Sequence, residues 1–227
     1  MLIAIEGIDG AGKTTQIELL KNYYTKQNIR VAVFKEPSDS PYGKKIKELA
    51  INGRYKVSPK EEFLLFLNDR IYDCEKNIKP ALNKKMLVFM DRYYFSSIAY
   101  QSARGLDKKM ILKENEKIAV RPDLVIILDV AVKIGLSRIR HLRNESINLF
   151  EQEEYLEKVR EIFLSMKASY VQIVDASRKK EEVFENLKNI INDIINPYLT
   201  HTQSKATEKT KTIENESEEL IFESVES

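Results

Sequence analysis

The chain has 227 residues, enough to bury one sizeable core, and its length favours one domain with small appendages over two independent domains. Lysine and arginine number 37 against 35 acidic residues, so the basic excess typical of a dedicated nucleic-acid-binding protein is missing. The single cysteine, Cys74, excludes an internal disulfide, and no apolar run reaches the roughly 20 residues that span a bilayer. We therefore expect a cytoplasmic protein with no membrane or nucleic-acid partner.

Short apolar runs recur along the chain and alternate with stretches of helical periodicity. The runs are typical of strands covered on both faces, and they lie at residues 2–6, 30–35, 86–91, 124–129 and 170–174. Strands that alternate with helices imply parallel pairing through crossover helices. The sequence therefore predicts an α/β domain with a doubly wound, five-stranded parallel sheet flanked by helices. Ligands are expected at the carboxyl ends of the strands.

A glycine-rich segment follows the first predicted strand. It reads Gly7-Ile8-Asp9-Gly10-Ala11-Gly12-Lys13-Thr14 and matches the P-loop pattern G-x-x-x-x-G-K-[ST], between a strand and a helix. Bare backbone lets successive N–H groups converge on phosphate oxygens, and the helix start adds its positive dipole end. We expect Lys13 at the β- and γ-phosphates, the Thr14 hydroxyl on Mg²⁺, and Thr15 in the same nucleotide site. A glycine turn that binds nothing is the alternative, which the strand and helix context disfavours.

Two stretches interrupt the alternation of strands and helices. Residues 37–59 contain Ser-Asp-Ser-Pro and then a short helical pattern, and residues 138–150 begin with a basic cluster. We expect the first stretch, about 36–60, to be a substrate-side insertion. We expect the second, about 137–151, to be a mobile lid whose arginines are Arg138, Arg140 and Arg143. An ordinary solvated helix end is the alternative for this basic cluster.

The third predicted strand ends in Asp91 and Arg92, which places a carboxylate and a guanidinium beside the P-loop. Asp91 can hold a metal-bound water, and the forked donors of Arg92 can grip a second phosphate. The alternative is that the pair caps the next helix. A GTPase would need a base-reading Asn-Lys-x-Asp segment, and the segment at 83–86 lacks the aspartate. These residues favour a kinase over a switch GTPase.

The end of the chain divides at about residue 199. Apolar residues between Val183 and Ile195 recur at spacings of three and four, which predicts a helix stopped by Pro197. Beyond it, residues 200–227 are rich in Thr, Ser, Glu and Lys, with few large apolar side chains. Such a segment buries too little surface to offset its ordering entropy, so we expect a disordered acidic tail after a domain of residues 1–199.

Five segments together resemble the thymidylate kinase family, in order and in spacing. They are EGIDGAGKTTQ from residue 6, Glu36-Pro37, FLNDR from Phe66, DRYYFSSIAYQ from Asp91 and PDLVIILDV from Pro122. The resemblance covers residue 1 to about 199. It implies a three-layer P-loop kinase fold and ATP-dependent phosphorylation of dTMP to dTDP for dTTP synthesis. It also implies Mg²⁺ as cofactor and a homodimer.

The resemblance also implies roles at the acceptor side. Phe66 stacks on thymine, although its local pattern alone favours core packing, and Arg70 hydrogen-bonds a thymine carbonyl. Tyr100 lies against the sugar, where a 2′-hydroxyl would clash, and Gln101 lies at the base edge. The remaining implied substrate contacts are Asp9 near the 3′-hydroxyl and the metal waters, Arg92 on the acceptor phosphate, and Glu36, Pro37 and Ser97. Ser96 and Ser97 also fit a purely structural role at a helix start.

The implied mechanism needs no strong general base. Phosphoryl transfer requires in-line positioning and compensation of charge on the transferred group, which Lys13, Mg²⁺, Arg92 and a lid arginine can supply. We therefore assign Asp91 to the metal shell. Arg178, after the last strand, is expected to border adenine.

The sequence departs from the family at two points. Many members carry Arg-Glu-Pro-Gly-Gly-Thr where this chain has Lys35-Glu36-Pro37-Ser38-Asp39-Ser40, so we expect a differently shaped acceptor loop. Gly10 stands where one branch has arginine, so the lid must supply that charge. Two alternatives stay open: another P-loop nucleoside monophosphate or deoxynucleoside kinase, and a non-catalytic nucleotide-binding regulator.

Overall fold

The computed structural model describes residues 1–52, 57–143 and 149–195, except for the side chains of 140–143 and 149–152. Contacts divide the chain into two units, Met1–Phe184 and Glu185–Ser227. In the second unit, residues 185–195 are helical, and the buried Leu187, Ile191 and Ile195 agree with the predicted periodicity. Pro197 and the predicted acidic tail, 200–227, lie outside the described residues.

The first unit is built on one sheet of five parallel strands. The strands are β1 (Leu2–Glu6), β2 (Val31–Lys35), β3 (Leu87–Asp91), β4 (Leu124–Asp129) and β5 (Val171–Asp175). Their order is β2-β3-β1-β4-β5, and every neighbouring pair is parallel. The strand order reverses around β1, so the crevice at its carboxyl end is the place where such sheets bind ligands. The predicted fold class and all five predicted strands are confirmed, with ends that differ by at most one residue.

Helices connect the strands and cover the sheet. They are α1 (Lys13–Lys26), α2 (Pro41–Asn52), α3 (Pro59–Asp73), α4 (Lys79–Asn83), α5 (Tyr94–Ala103), α6 (Lys108–Glu116), α7 (Val132–Arg143) and α8 (Leu149–Leu164). After β5 the chain turns helical again at residue 180. A π-helical segment, Cys74–Ile78, joins α3 to α4. The start of α3 is encoded locally, because Ser58 and Glu61 form a capping box around Pro59. Asp107 caps α6 in the same way through the Met110 N–H.

The three central strands carry the core, and the outer two strands do not. Every residue of β1 and β3 is buried, and β4 is buried except at its last residue. The prediction that the apolar runs are covered on both faces is wrong for β2 and β5, where Val33 is 36% exposed and Ile173 is 46% exposed. Edge strands have only one strand neighbour, and the sequence runs give no sign of which strands lie at the edge.

Cys74 is buried at the end of α3, with its Sγ 3.4 Å from the Tyr93 hydroxyl. Burial raises the pKa of this thiol, as expected for a small apolar core residue and not for a nucleophile. Across the described ranges, no helix has both the length and the hydropathy needed to cross a membrane.

Candidate active site

The P-loop leaves β1 through glycines that need bare backbone. Gly7, Gly10 and Gly12 all have positive φ, at 134°, 78° and 92°. A Cβ on Gly10 would lie 2.1 Å from the Gly135 carbonyl oxygen, and one on Gly7 would lie 2.5 Å from that of Leu128. Helix α1 then begins at Lys13 with no side chain capping it, so its first N–H groups are available to an anion.

Lys13 is folded back onto this loop. Its Nζ donates to the carbonyl oxygens of Gly7, at 3.1 Å, and Ile8, at 2.8 Å. Burial and, after it, the charge of Arg92 lower the pKa of Lys13 to about 8, while nearby carboxylates oppose the shift. The ammonium is therefore held close to the phosphate position by weak acceptors that a phosphate can replace.

Arg92 extends from the end of β3 to the same loop. Its Nη1 donates to the Gly7 carbonyl oxygen at 3.2 Å, and its Nη2 donates to Asp9 Oδ1 at 2.6 Å and to the Tyr100 hydroxyl at 3.3 Å. The guanidinium also lies 5.1 Å from the centre of the Tyr100 ring. The structure thus brings Asp9 of the P-loop segment together with Arg92 and Tyr100, which both belong to the segment that begins at Asp91.

Thr14 and Asp91 form an oxygen pair beside the P-loop. The Thr14 hydroxyl donates to Asp91 Oδ2 at 2.5 Å, and Lys35 Nζ lies 3.6 Å from the same oxygen. Among the described residues no group of three or more His, Cys, Asp or Glu could hold a metal on its own. Mg²⁺ at phosphates commonly takes only one or two protein ligands, so a hydroxyl and a carboxylate fit its preference for oxygen.

A cavity of about 260 Å³ opens next to Arg92. All nine residues predicted to contact the acceptor line it, namely Asp9, Glu36, Pro37, Phe66, Arg70, Arg92, Ser97, Tyr100 and Gln101. Phe66 is half-buried on the cavity wall, whereas Phe63, one turn earlier on α3, is in the core. The local pattern did not distinguish these two rings.

Arg70 is almost fully buried in a network that uses all five of its N–H donors. Nε donates to Glu36 Oε1 at 3.0 Å, and Nη2 pairs with Oε2 of the same carboxylate. Nη1 donates to Asn115 Oδ1, and both terminal nitrogens lie 3.3 Å from Ser97 Oγ. Burial raises the pKa of Glu36, and the Arg70 charge opposes that rise. Sequence reasoning missed Asn115, because α6 carries no recognisable motif.

The unusual acceptor loop is fastened to α3 by Asp69. Its Oδ1 accepts from the Ser38 and Ser40 hydroxyls, each at 2.5 Å, and its Oδ2 accepts from the Ser38 N–H at 2.8 Å. The Ser40 hydroxyl oxygen accepts in turn from the Gly43 N–H at 2.9 Å, at the start of α2. The two serines that depart from the family pattern therefore tie the loop after β2 to the helix that carries Phe66.

A second cavity, of about 220 Å³, lies on the other side of the P-loop. It is lined by Gly12, Thr15, Arg138 and Arg178, among others. Arg138 donates to the carbonyl oxygens of Gly10, at 3.2 Å, and Ala176, at 3.1 Å. The side chains of Arg140 and Arg143, and residues 144–148 of the predicted lid, lie outside the described part of the chain.

Glu6 is a second residue that sequence reasoning missed. It is fully buried at the end of β1 and accepts the N–H groups of Tyr93 and Ser96 at the start of α5. The cap of α5 is thus supplied by Glu6 and not by Asp91. The available signal was a carboxylate that ends an otherwise apolar strand.

Comparison with known proteins identifies the family of this chain. The family model described as thymidylate kinase matches residues 5–187. The chain belongs to the thymidylate kinase family. It is 48% identical over 196 residues to the probable thymidylate kinase of Archaeoglobus fulgidus, covering 86% of this chain and 97% of that protein. Thymidylate kinases of Desulfotalea psychrophila and Xylella fastidiosa are 42% and 38% identical, each over 86% of this chain and 92% of the relative.

The Asp69 contacts generate a prediction about stability. Asp69→Asn replaces one acceptor oxygen by a donor and leaves buried serine groups without their partner, so it should lower the free energy of unfolding by about 2–4 kcal/mol. The urea midpoint measures this change. The matched control is Asp39→Asn in the same loop, whose exposed carboxylate pairs with Lys47 on the surface, and it should leave the midpoint unchanged. Equal midpoints for the two variants would contradict the role of Asp69.

Proposed function

We propose that this chain transfers the γ-phosphoryl group of ATP to dTMP, giving dTDP and ADP for dTTP synthesis. The observation that carries the proposal is that all nine residues predicted to contact the acceptor line one cavity next to the P-loop. Arg92 joins the two, because it contacts the Gly7 carbonyl of the loop and lines the cavity. A regulator that only binds nucleotide would need neither an acceptor cavity nor this arginine.

On the donor side, the P-loop amides from Gly7 to Thr15 and the Lys13 ammonium bind the triphosphate. Arg178 and Arg138 border adenine, and Arg138, Arg140 and Arg143 supply lid charge in place of an arginine at Gly10. Thr14 and Asp91 would hold Mg²⁺, which would supply neutralisation of charge on the phosphate oxygens. The remaining parts of the proposal are a homodimer and a cytoplasmic location.

On the acceptor side, Arg92 turns its Nη donors to the 5′-phosphate of dTMP. Asp9, released from Arg92, accepts from the 3′-hydroxyl, and Phe66 stacks on the base. Tyr100 fills the space beside the sugar where a 2′-hydroxyl would lie. The residues act by positioning and by charge, and none of the carboxylates is assigned to remove a proton.

The cavity also offers one hydrogen-bond donor and one acceptor that can recognise the base. Both terminal nitrogens of Arg70 donate to Ser97 Oγ, so the oxygen lone pairs are taken and the hydroxyl proton is left to donate. Gln101 must donate its Nε2 to the Glu62 carboxylate, which leaves its Oε1 as a buried acceptor with no partner in the described part of the chain. One donor and one acceptor match the O4 and N3–H of thymine. Cytosine presents the opposite pair.

Arg70 is then one step removed from the base. Its donors are all engaged by Glu36, Asn115 and Ser97, so the Ser97 hydroxyl is the group that reads the carbonyl. Arg70 fixes the direction of that hydroxyl. This refines the role that the family resemblance implied for Arg70.

The reaction itself is tested by measuring ADP release with dTMP, dUMP, dCMP, dGMP, AMP and free thymidine as acceptors. Turnover with dTMP well above that with dCMP and the purine monophosphates is the expected result. Activity with only the free nucleoside would replace the proposal by a deoxynucleoside kinase. No activity with any acceptor would favour the regulator.

The proposed recognition of the base by Ser97 and Gln101 predicts the effect of Ser97→Ala. Loss of the Ser97 hydroxyl removes the donor to the thymine carbonyl, which should lower kcat/KM for dTMP. The same hydroxyl faces a donor of cytosine unfavourably, so its loss should also narrow the preference for dTMP over dCMP by about tenfold. Steady-state kinetics with both nucleotides measure this ratio. Ser102→Ala is the control, since Ser102 is on the same helix and its buried hydroxyl has no hydrogen-bond partner among the described residues. An unchanged ratio of kcat/KM for dTMP and dCMP in Ser97→Ala would contradict this account of base recognition.

The lowered pKa of Lys13, about 8, predicts how activity depends on pH. The charged ammonium binds phosphate, so kcat/KM for ATP, which reports groups of the free protein, should fall about tenfold per pH unit above 8. In Lys13→Arg the cation does not titrate in this range, so the fall should disappear even if activity is lower. The same fall in both proteins would assign the titration to another group.

A further inference from the structure

The carboxylate of Glu6 is completely buried, although no lysine or arginine is among its hydrogen-bond partners in the described chain. A buried carboxylate is unfavourable unless hydrogen bonds replace its hydration. Three donors do so, all from the segment after β3: the Tyr93 N–H at 2.8 Å, the Ser96 N–H at 3.2 Å and the Ser96 hydroxyl at 2.6 Å. Burial raises the pKa of Glu6, and these hydrogen bonds and the Arg92 charge oppose the rise.

Capping of α5 alone does not account for this glutamate. A serine or aspartate at the Tyr93 position could cap the helix locally, without a buried charge contributed by another strand. Tyr93 itself makes no side-chain cap. Only Oε1 of Glu6 meets the helix N–H groups, whereas Oε2 meets the Ser96 hydroxyl. The second oxygen therefore serves something other than the cap.

Ser96 connects Glu6 to Arg92. A carboxylate only accepts, so the Ser96 proton must point to Glu6, and the lone pairs of the hydroxyl oxygen are left for other donors. Arg92 Nη1 donates to that oxygen at 3.0 Å and to the Gly7 carbonyl oxygen at 3.2 Å. Two consecutive residues, Glu6 and Gly7, thus orient one guanidinium nitrogen.

The same strand end also holds the backbone of Arg92. Arg92 has φ of 72°, in the left-handed region that is unfavourable for an arginine. Its N–H donates to the Ile5 carbonyl oxygen at 3.1 Å, and the next N–H, of Tyr93, donates to Glu6. Neighbouring residues of β1 therefore fasten both N–H groups of this turn.

We propose that Glu6 is a positioning residue for phosphoryl transfer, which acts through Ser96 and the Tyr93 amide to hold the Arg92 guanidinium where the acceptor phosphate binds. The inference rests on the proposed function, in which Arg92 binds the 5′-phosphate of dTMP. It adds a residue that does not line the acceptor cavity.

The decisive variant is Glu6→Gln, which keeps the shape of the side chain. If the new amide oxygen still accepts from the N–H groups of Tyr93 and Ser96, the amide nitrogen must donate to the Ser96 hydroxyl oxygen. The Ser96 proton then points toward Arg92 Nη1, which is itself a donor. We expect kcat/KM for dTMP to fall about tenfold and dTMP binding measured by calorimetry to weaken, while KM for ATP stays within about twofold. A purely structural defect would change both substrates together.

Ser96→Ala is the second variant, and it breaks the link while it leaves the Glu6 charge in place. It should lower kcat/KM for dTMP in the same way. The double variant Glu6→Gln/Ser96→Ala should be no worse than Glu6→Gln within about twofold, because the two residues act in one chain of contacts. Ser102→Ala on the same helix is the control, and it should match the wild type.

Three results would overturn the proposal: normal dTMP kinetics in Glu6→Gln, equal changes for ATP and dTMP, or fully additive effects in the double variant. If Glu6→Gln does not fold, Ser96→Ala decides alone, and normal dTMP kinetics there would overturn the proposal. If the wild type phosphorylates dTMP and both variants are normal, only the role of Glu6 is overturned. A wild type without dTMP activity removes the proposed function, and the role of Glu6 with it.

Discussion

Two cations meet at one carbonyl oxygen, and the rest of the site is arranged around this contact. The Lys13 ammonium and the Arg92 guanidinium both donate to the Gly7 oxygen, at 3.1 and 3.2 Å. Their mutual repulsion is visible in the pKa of Lys13, which the Arg92 charge helps to lower. A phosphate chain placed between them would replace repulsion by attraction to a shared anion. The electrostatic strain of the free protein is therefore relieved by the ligands that the site is proposed to bind.

The scaffold fixes the positions of these two cations. The glycines of the P-loop allow close approach of β4 and α7, and the end of β1 holds the strained turn at Arg92. On the acceptor side, Glu36, Asn115 and Ser97 saturate Arg70, and Asp69 fastens the loop after β2 to the same helix. Saturated donors and acceptors have defined directions, so a few unpaired groups are left to read the ligand. Preorganisation of this kind lowers the ordering entropy that binding must offset.

The sequence predicted the fold because each signal was local. Apolar runs and the P-loop glycines depend on neighbours within a few positions. The structure confirms the sheet, and the comparisons with known proteins confirm the family. The exposed sides of β2 and β5 were missed because strand order is a long-range property. Glu6 and Asn115 were missed for the same reason, since their partners are 87 or more and 45 residues away along the chain. The family resemblance supplied the acceptor residues, whereas their hydrogen-bond directions required coordinates.

The central claim is that one phosphate chain runs from the P-loop to Arg92. The most direct measurement is a crystal structure with a dinucleoside pentaphosphate that joins adenosine to thymidine. The account predicts phosphates between Lys13 and Arg92, thymine on Phe66 with its O4 at Ser97, and adenine beside Arg178. A ligand whose phosphates bypass Arg92, or whose thymine lies outside the cavity of Phe66 and Gln101, would contradict it.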